Sequence, residues 1–207
     1  AWGHFGCISF YPTKNLGGMG DGGMIVTNDE ELEDRVRLYS GHGMRPRYYH
    51  KVIGINSRLD SMQAAVLNVK INYLDDAVAG RQRNAELYLE LFSQSGLAHE
   101  ITLPVARFGD GHVWNQFTIR VHSEKRDELK AFLTEKNIGS EIYYPVPLHM
   151  QKCFQSLGYQ PEDLPETLKA SQEVLSLPIF PELEAEEVKI VVDSVKQFFA
   201  MSQRRAA

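Results

Sequence analysis

Cysteine is scarce in this 207-residue sequence, and neither sign of charge dominates it. Two cysteines, Cys7 and Cys153, exclude a multi-disulfide framework and any Cys-rich zinc site. Their apolar neighbours predict ordinary buried thiols in a reducing, cytoplasmic compartment. Lys and Arg number 22 against 27 Asp and Glu, a net charge of −5, which excludes a generally basic nucleic-acid binder. No stretch approaches the ~20 unbroken apolar residues of a membrane span, and runs such as Ile190-Val191-Val192 are of core size. The sequence contains no Asn-x-Ser/Thr sequon, and Ala1 to Gly6 have neither the charged nor the apolar region of a signal peptide. The first residue is not Met, so the expectation is a chain that begins inside something longer. With 43% hydrophobic and 24% charged residues, the composition supports a buried core in one or two domains.

Hydrophobic periodicity supplies the organisation. Cys7 to Tyr11 reads as a short buried strand and Met24 to Thr27 as a short apolar one, on either side of a glycine cluster (Gly17, Gly18, Gly20, Gly22, Gly23). A helix capped by Thr27 or Asn28 carries Leu32, Val36 and Tyr39, and stops at Gly41-His42-Gly43. Residues 44 to 56 are aromatic, basic and irregular, and loops of that length and composition are more often functional than idle. From Ser57, with Asp60 completing a capping box, apolar residues recur at threes and fours. This pattern predicts a long helix reaching Phe92, bent near Gly80. Strands at 113–121 and 140–143, helices at 124–136, 166–176 and 184–200, and a Pro-rich loop at 145–147 complete the reading. The last helix has Val188, Val191, Val195 and Phe198 as its apolar stripe, and Arg204-Arg205 follow its end, favourable for the helix dipole. The second half is the pattern of a small α+β domain.

Gly18-x-Gly20-x-x-Gly23 formally matches the dinucleotide fingerprint, but it precedes a strand where that motif opens a helix. No Walker loop is present, because Lys14 comes before the glycines. The glycine cluster is then a flexible turn or a loop that lets backbone pass close to a ligand. Lys14, between Pro12 and the glycines, is either a solvated turn residue or an amine held in a pocket. Desolvation in such a pocket would free the amine to attack a carbonyl.

The wider string bears on that choice. Ser9-Phe10-Tyr11-Pro12-Thr13-Lys14-Asn15-Leu16-Gly17-Gly18, then Gly20-Asp21-Gly22-Gly23 and Val26-Thr27-Asn28, closely resembles the lysine segment of the pyridoxal-phosphate sugar aminotransferases, the DegT–StrS family. Gly54-Ile55-Asn56-Ser57-Arg58-Leu59-Asp60 with Gln63-Ala64-Ala65 resembles that family's second signature. Tyr143-Tyr144-Pro145-Val146-Pro147-Leu148-His149 and Leu175-Ser176-Leu177-Pro178 are similar to its C-terminal domain. Four ordered blocks span essentially the whole chain.

The resemblance implies an α/β chain: the C-terminal part of the large PLP-binding domain of a fold-type I (aspartate-aminotransferase fold) enzyme, residues 1–80, plus a small α+β C-terminal domain, residues 81–207. It implies pyridoxal 5'-phosphate as cofactor. Lys14 would hold it as a Schiff base and would also move the proton of the amino donor, Ser9 would contact its phosphate, and Asn56 would reach the phosphate of the neighbouring subunit in a homodimer with shared active sites. His149, Tyr144 and His50 of the His50–Lys51 loop are candidate substrate contacts, each with an ordinary structural role as the alternative. The implied reaction passes an amino group from glutamate to a nucleotide-linked keto sugar, with a lean toward ring carbon 3. The partners are then small molecules, with no nucleic acid, no membrane and no metal. The family's upstream phosphate loop, ring-stacking residue and aspartate for the pyridine nitrogen have no counterpart in these 207 residues, so the expectation is a C-terminal portion incompetent by itself. Two other readings stay open: a non-catalytic dimerising fragment or interaction module, and an aminotransferase for a cyclitol or another non-nucleotide ketone.

Overall fold

The computed structural model describes residues 1–107 and 109–206. The chain divides into two units, Ala1–Asp75 and Asp76–Ala207. The division falls at Asp75, inside the helical run, where the sequence reading placed it at residue 80.

In the first unit, β1 (Gly6–Ser9) and β2 (Gly23–Val26) form an antiparallel ribbon with Gly6 opposite Val26 and Ser9 opposite Gly23. The first of these strands was expected to be buried. Instead Cys7, Ile8, Met24, Ile25 and Val26 are all exposed, because a two-stranded ribbon has no second layer of its own to cover either face. The expectation of buried thiols fails with it: Cys7 and Cys153 are both free and exposed. Helix α1 (Glu30–Ser40) is capped by Asp29, whose carboxylate accepts from the amides of Glu31 and Leu32 at 2.9 and 3.1 Å. Thr27 acts one step earlier, its hydroxyl accepting from the Asp29 amide. Helix α2 (Ser61–Lys70) starts at the Asp60 cap, later than the Ser57 start read from sequence. A 3₁₀ turn at Ile71–Tyr73 leads into α3 (Leu74–Ser93). The irregularity therefore lies at 71–73, and the helix runs through Gly80 unbroken.

The second unit holds an antiparallel sheet in the order β3 (Ile101–Thr102), β4 (Phe117–Val121), β5 (Val174–Leu177). Around it lie α4 (Arg126–Glu135), α5 (Pro165–Glu173) and α6 (Ala185–Ala206). Helix α6 extends past residue 200, so Arg204 and Arg205 fall within its last turn. The helix expected over 166–176 ends at Glu173, and the residues after it become β5. The strand expected at 140–143 is reduced to one bridge between Glu141 and Ser176. Alternate residues of β4 (Phe117, Ile119 and Val121) are fully buried. They pack into one cluster with Tyr88 and Phe92 of α3, Leu129 and Leu133 of α4, Leu175 of β5 and the predicted α6 stripe. That cluster contains no residue of the first unit.

One face of α3 is fastened to the segment after β5. The Arg81 guanidinium donates to the Ile179 carbonyl at 2.9 Å, Asn84 to Phe180 at 2.9 Å and the Tyr88 hydroxyl to Pro178 at 3.0 Å. Arg81 also reaches the carbonyls of Trp114 and Asn115. Gly80 belongs to this face: a Cβ there would lie 2.8 Å from the Pro181 carbonyl oxygen. Among the described residues no helix is long and apolar enough to cross a membrane.

Tyr88 makes the second unit sensitive to alkali. Burial, with a smaller contribution from the Glu187 carboxylate, pushes its phenol well above the ordinary range. The folded state keeps the proton longer than the unfolded chain, so this stability is complete below about pH 10. It declines above that by about 1.4 kcal/mol per pH unit. Tyr88→Phe is expected to destabilise the second unit by about 1–2 kcal/mol at neutral pH, since the Pro178 carbonyl loses its donor, and to flatten the decline above pH 10. Urea unfolding followed by the fluorescence of Trp114, 4% exposed, checks both.

Candidate active site

The loop joining β1 to β2 holds Lys14 on a turn braced by backbone and by α2. Phe10 donates to the Gly22 carbonyl at 2.8 Å, Gly18 to Phe10 at 2.8 Å, and Lys14 to Tyr11 at 2.9 Å. Gly17 is buried where a Cβ would sit 2.5 Å from the Pro12 carbonyl oxygen, so the turn closes this tightly only on glycine. Two residues of α2 latch the loop: the Gln63 side-chain oxygen accepts from the Met19 amide at 2.8 Å, and the Lys70 ammonium donates to the Gly17 carbonyl at 2.6 Å. Gln63 and Lys70 are seven residues apart and share one helix face. Sequence reading quoted Gln63 as part of a signature without a role and passed over Lys70.

Lys14 itself is exposed, and its ammonium has no partner among the described residues. Ser9, exposed at the end of β1, accepts from the Tyr11 amide at 3.3 Å. This donor set fits pyridoxal phosphate: an uncommitted amine suits its aldehyde, and the Ser9 hydroxyl, which can still donate its hydrogen, suits its phosphate.

Asn56 and His50 lie on a second loop of the same unit, closed by backbone bonds from His42 to Ile55 (3.0 Å), Ile55 to Tyr39 (2.8 Å) and Lys51 to Gly43 (2.8 Å). Asn56 is exposed, and its carbonyl oxygen accepts from Arg58 Nε at 3.1 Å. His50 Nδ1 faces the His42 carbonyl at 2.9 Å. A carbonyl only accepts, so Nδ1 carries the hydrogen and the neutral ring offers Nε2 as acceptor. Tyr48 and Tyr49 of this loop are 74% and 70% exposed, and the Arg47 guanidinium stacks over the Tyr48 ring.

His149 and Tyr144 belong to the second unit, where a cavity of about 750 Å³ is lined by both. Tyr144 is exposed, its ring edge-on to Tyr143. His149 is only 8% exposed, and neither of its ring nitrogens has a hydrogen-bond partner among the described residues. Among those residues no cluster of His, Cys, Asp and Glu could hold a metal ion.

Residues 1–196 match the DegT/DnrJ/EryC1/StrS aminotransferase family. The chain belongs to this family. Members of the DegT/DnrJ/EryC1/StrS family depend on pyridoxal phosphate. The chain is 49% identical to a Geobacillus stearothermophilus protein named a pleiotropic regulatory protein, over 92% of this chain and 50% of that one. It is 42% identical to the dTDP-3-amino-3,4,6-trideoxy-alpha-D-glucose transaminase of Streptomyces venezuelae, over 92% and 49%. Among solved structures, S. venezuelae DesV in complex with a ketimine intermediate superposes with a TM-score of 0.84 at 40% identity, over 95% of this chain and 52% of DesV. The chain thus spans about half the length of the family relatives it matches.

Proposed function

We propose that this chain is the lysine-bearing part of a pyridoxal-phosphate aminotransferase that passes an amino group from glutamate to ring carbon 3 of a nucleotide-linked keto sugar. The observation that carries the reading is the uncommitted Lys14 amine, on a turn that glycine, Gln63 and Lys70 hold in one conformation. The transaminase name of the Streptomyces relative supports the substrate class and the carbon. When bound, the cofactor supplies an aldehyde and an electron-withdrawing ring, which let an amine's α-proton be removed at neutral pH.

Lys14 would hold that aldehyde covalently, and once released from it would act as the base and acid that moves the donor's α-proton. The braced turn fixes the backbone position from which that amine reaches. Ser9 would donate its hydroxyl to the cofactor phosphate. Asn56, whose amide N–H groups have no partner among the described residues, would donate to the phosphate held by a second copy of the protein, in a homodimer with shared sites. His50, His149 and Tyr144 would contact substrate. Glutamate leaves as 2-oxoglutarate, and the sugar ketone becomes an amine. The exposed, unpaired thiols of Cys7 and Cys153 fit a reducing, cytoplasmic setting.

The test is covalent trapping in the full-length protein. Pyridoxal phosphate is added, borohydride makes any lysine link permanent, and peptide mass spectrometry locates it. One label per chain, at Lys14, is expected. Label scattered over surface lysines would overturn the reading.

A further inference from the structure

The glycine cluster between β1 and β2 is occupied by side chains of α2 and of the residues just before it. A Cβ at Gly18 would lie 2.9 Å from Gln63 Oε1, and one at Gly20 would lie 3.1 Å from Gln63 Nε2. Gly18-x-Gly20, which opens the formal match to a dinucleotide fingerprint, is therefore the slot of the Gln63 amide. A Cβ at Gly22 would lie 2.9 Å from Leu59 Cδ1. A side chain at any of these positions would displace the residue packed there, so the glycines form a track that admits α2. Lys70 ends the register, with its ammonium on the Gly17 carbonyl. Positions 17, 18, 20 and 22 are thus met in turn by 70, 63, 63 and 59, an antiparallel match.

What this docking holds in place is the turn of Lys14. Gly17 rests directly on that turn: a Cβ on it would meet the Pro12 carbonyl oxygen at 2.5 Å and the Tyr11 carbonyl oxygen at 2.9 Å. The Tyr11 carbonyl is the one that accepts from the Lys14 amide, at 2.9 Å. Lys70 therefore acts on Lys14 through a packed glycine and a backbone hydrogen bond, with no soft side chain between. Its own bond is charge-assisted and 2.6 Å long. Gly17 is buried, so loss of that donor leaves its carbonyl unpaired, and the loop restores the pairing only by moving toward water. Gln63 holds the far side of the loop, accepting from the Met19 amide at 2.8 Å.

We infer that Lys70 and Gln63 are positioning residues for the Lys14 amine, acting through the glycine track. The inference rests on the reading above that Lys14 is the reactive amine, and it adds the residues that decide where that amine stands. Displacing a reacting group by about 1 Å can cost on the order of 100-fold in rate, which sets the scale of the expected effect.

The full-length protein loaded with pyridoxal phosphate tests it, in the half-reaction with L-glutamate followed by the cofactor's absorbance. Lys70→Met keeps the stem and removes the donor, and it is expected to lower the limiting rate roughly 10- to 100-fold. Half-saturation by glutamate should not move, because the Lys70 ammonium is engaged by the loop. Lys70→Arg keeps a charged donor and is expected to stay within about threefold of the parent rate. Gln63→Ala should slow the reaction in the same direction as Lys70→Met. Hydrogen exchange reads the cause apart from activity. In Lys70→Met the Lys14 and Gly18 amides are expected to lose protection, while Ile55 in the same unit and Ile119 in the other keep theirs. A Lys70→Met protein with the parent's rate would overturn the inference, and so would a Lys70→Arg protein as slow as Lys70→Met. Lost protection at Ile55 would assign the effect to general stability and overturn it as well. If the parent itself takes no label at Lys14 on borohydride trapping, it is the Lys14 reading that falls, and that result precedes any variant.

Discussion

Lys14→Ala in the full-length enzyme is expected to abolish borohydride-fixed label at the β1–β2 loop and to lower transamination by at least ~10³-fold. On the proposed reading the effect is large because one amine would have two duties, anchoring the cofactor and moving the proton. Lys70 also reaches this loop, but its ammonium is engaged at 2.6 Å with the Gly17 carbonyl. Lys14→Arg keeps the charge and the turn but replaces the amine with a guanidinium that stays protonated, so it is expected to lose as much activity as alanine. A Lys14→Arg enzyme with more than a tenth of the parent rate would show that the charge, not the amine, is what matters there. Thermal unfolding of both variants should match the parent within ~0.5 kcal/mol, since an exposed side chain with no partner contributes little to the fold.

Gly43→Ala should act differently, through the backbone that places His50 and Asn56. Gly43 has φ +65, and a Cβ there would stand 1.9 Å from the Val52 carbonyl oxygen. Both the left-handed backbone and the overlap are unfavourable, together about 3 kcal/mol or more. The loop can escape only by parting the Lys51-to-Gly43 and His42-to-Ile55 hydrogen bonds, and those bonds fix where His50 and Asn56 stand. Hydrogen exchange separates this from global unfolding. The Lys51 and Ile55 amides are expected to lose protection, while those of Ile119 and Val121 in the β4 core keep theirs. Loss of protection in both places would mean that the two units do not unfold independently.

What the sequence made legible followed the range of the forces involved. The α6 stripe of Val188, Val191 and Val195 was readable because helical period and burial coincide along one element. Lys14 was singled out only through the family resemblance of Ser9 to Gly18, since its turn neighbours left both a solvated residue and a pocketed amine open. The failures share a different cause. Gln63 and Lys70 act on residues 44 and 53 positions away, and no local pattern announces such a partner. Val174-Leu175-Ser176 was absorbed into a helix because three residues cannot display a period. Pairing with β4 across 58 residues, as between Thr118 and Ser176, makes them a strand. Gly80 suggested a bend by its low helix propensity, whereas the requirement it meets is close approach by Pro181. Cys7 was misjudged because apolar neighbours in a strand indicate burial only when a second layer exists.

The fastening of α3 to residues 178–180 has a consequence for how this part of the protein can drift in sequence. Arg81, Asn84 and Tyr88 address carbonyl oxygens alone, and every residue type supplies the same carbonyl. The donors therefore cannot change without loss, whereas these bonds do not read the side chains they hold, of which Ile179 is fixed separately by packing against the core. Phe180, 40% exposed, could pass through many residue types with its backbone still anchored. Substitution should thus be asymmetric across this contact: restricted on the helix, permissive at Phe180. The strap is a place where new surface can be tried without loosening the unit that bears it.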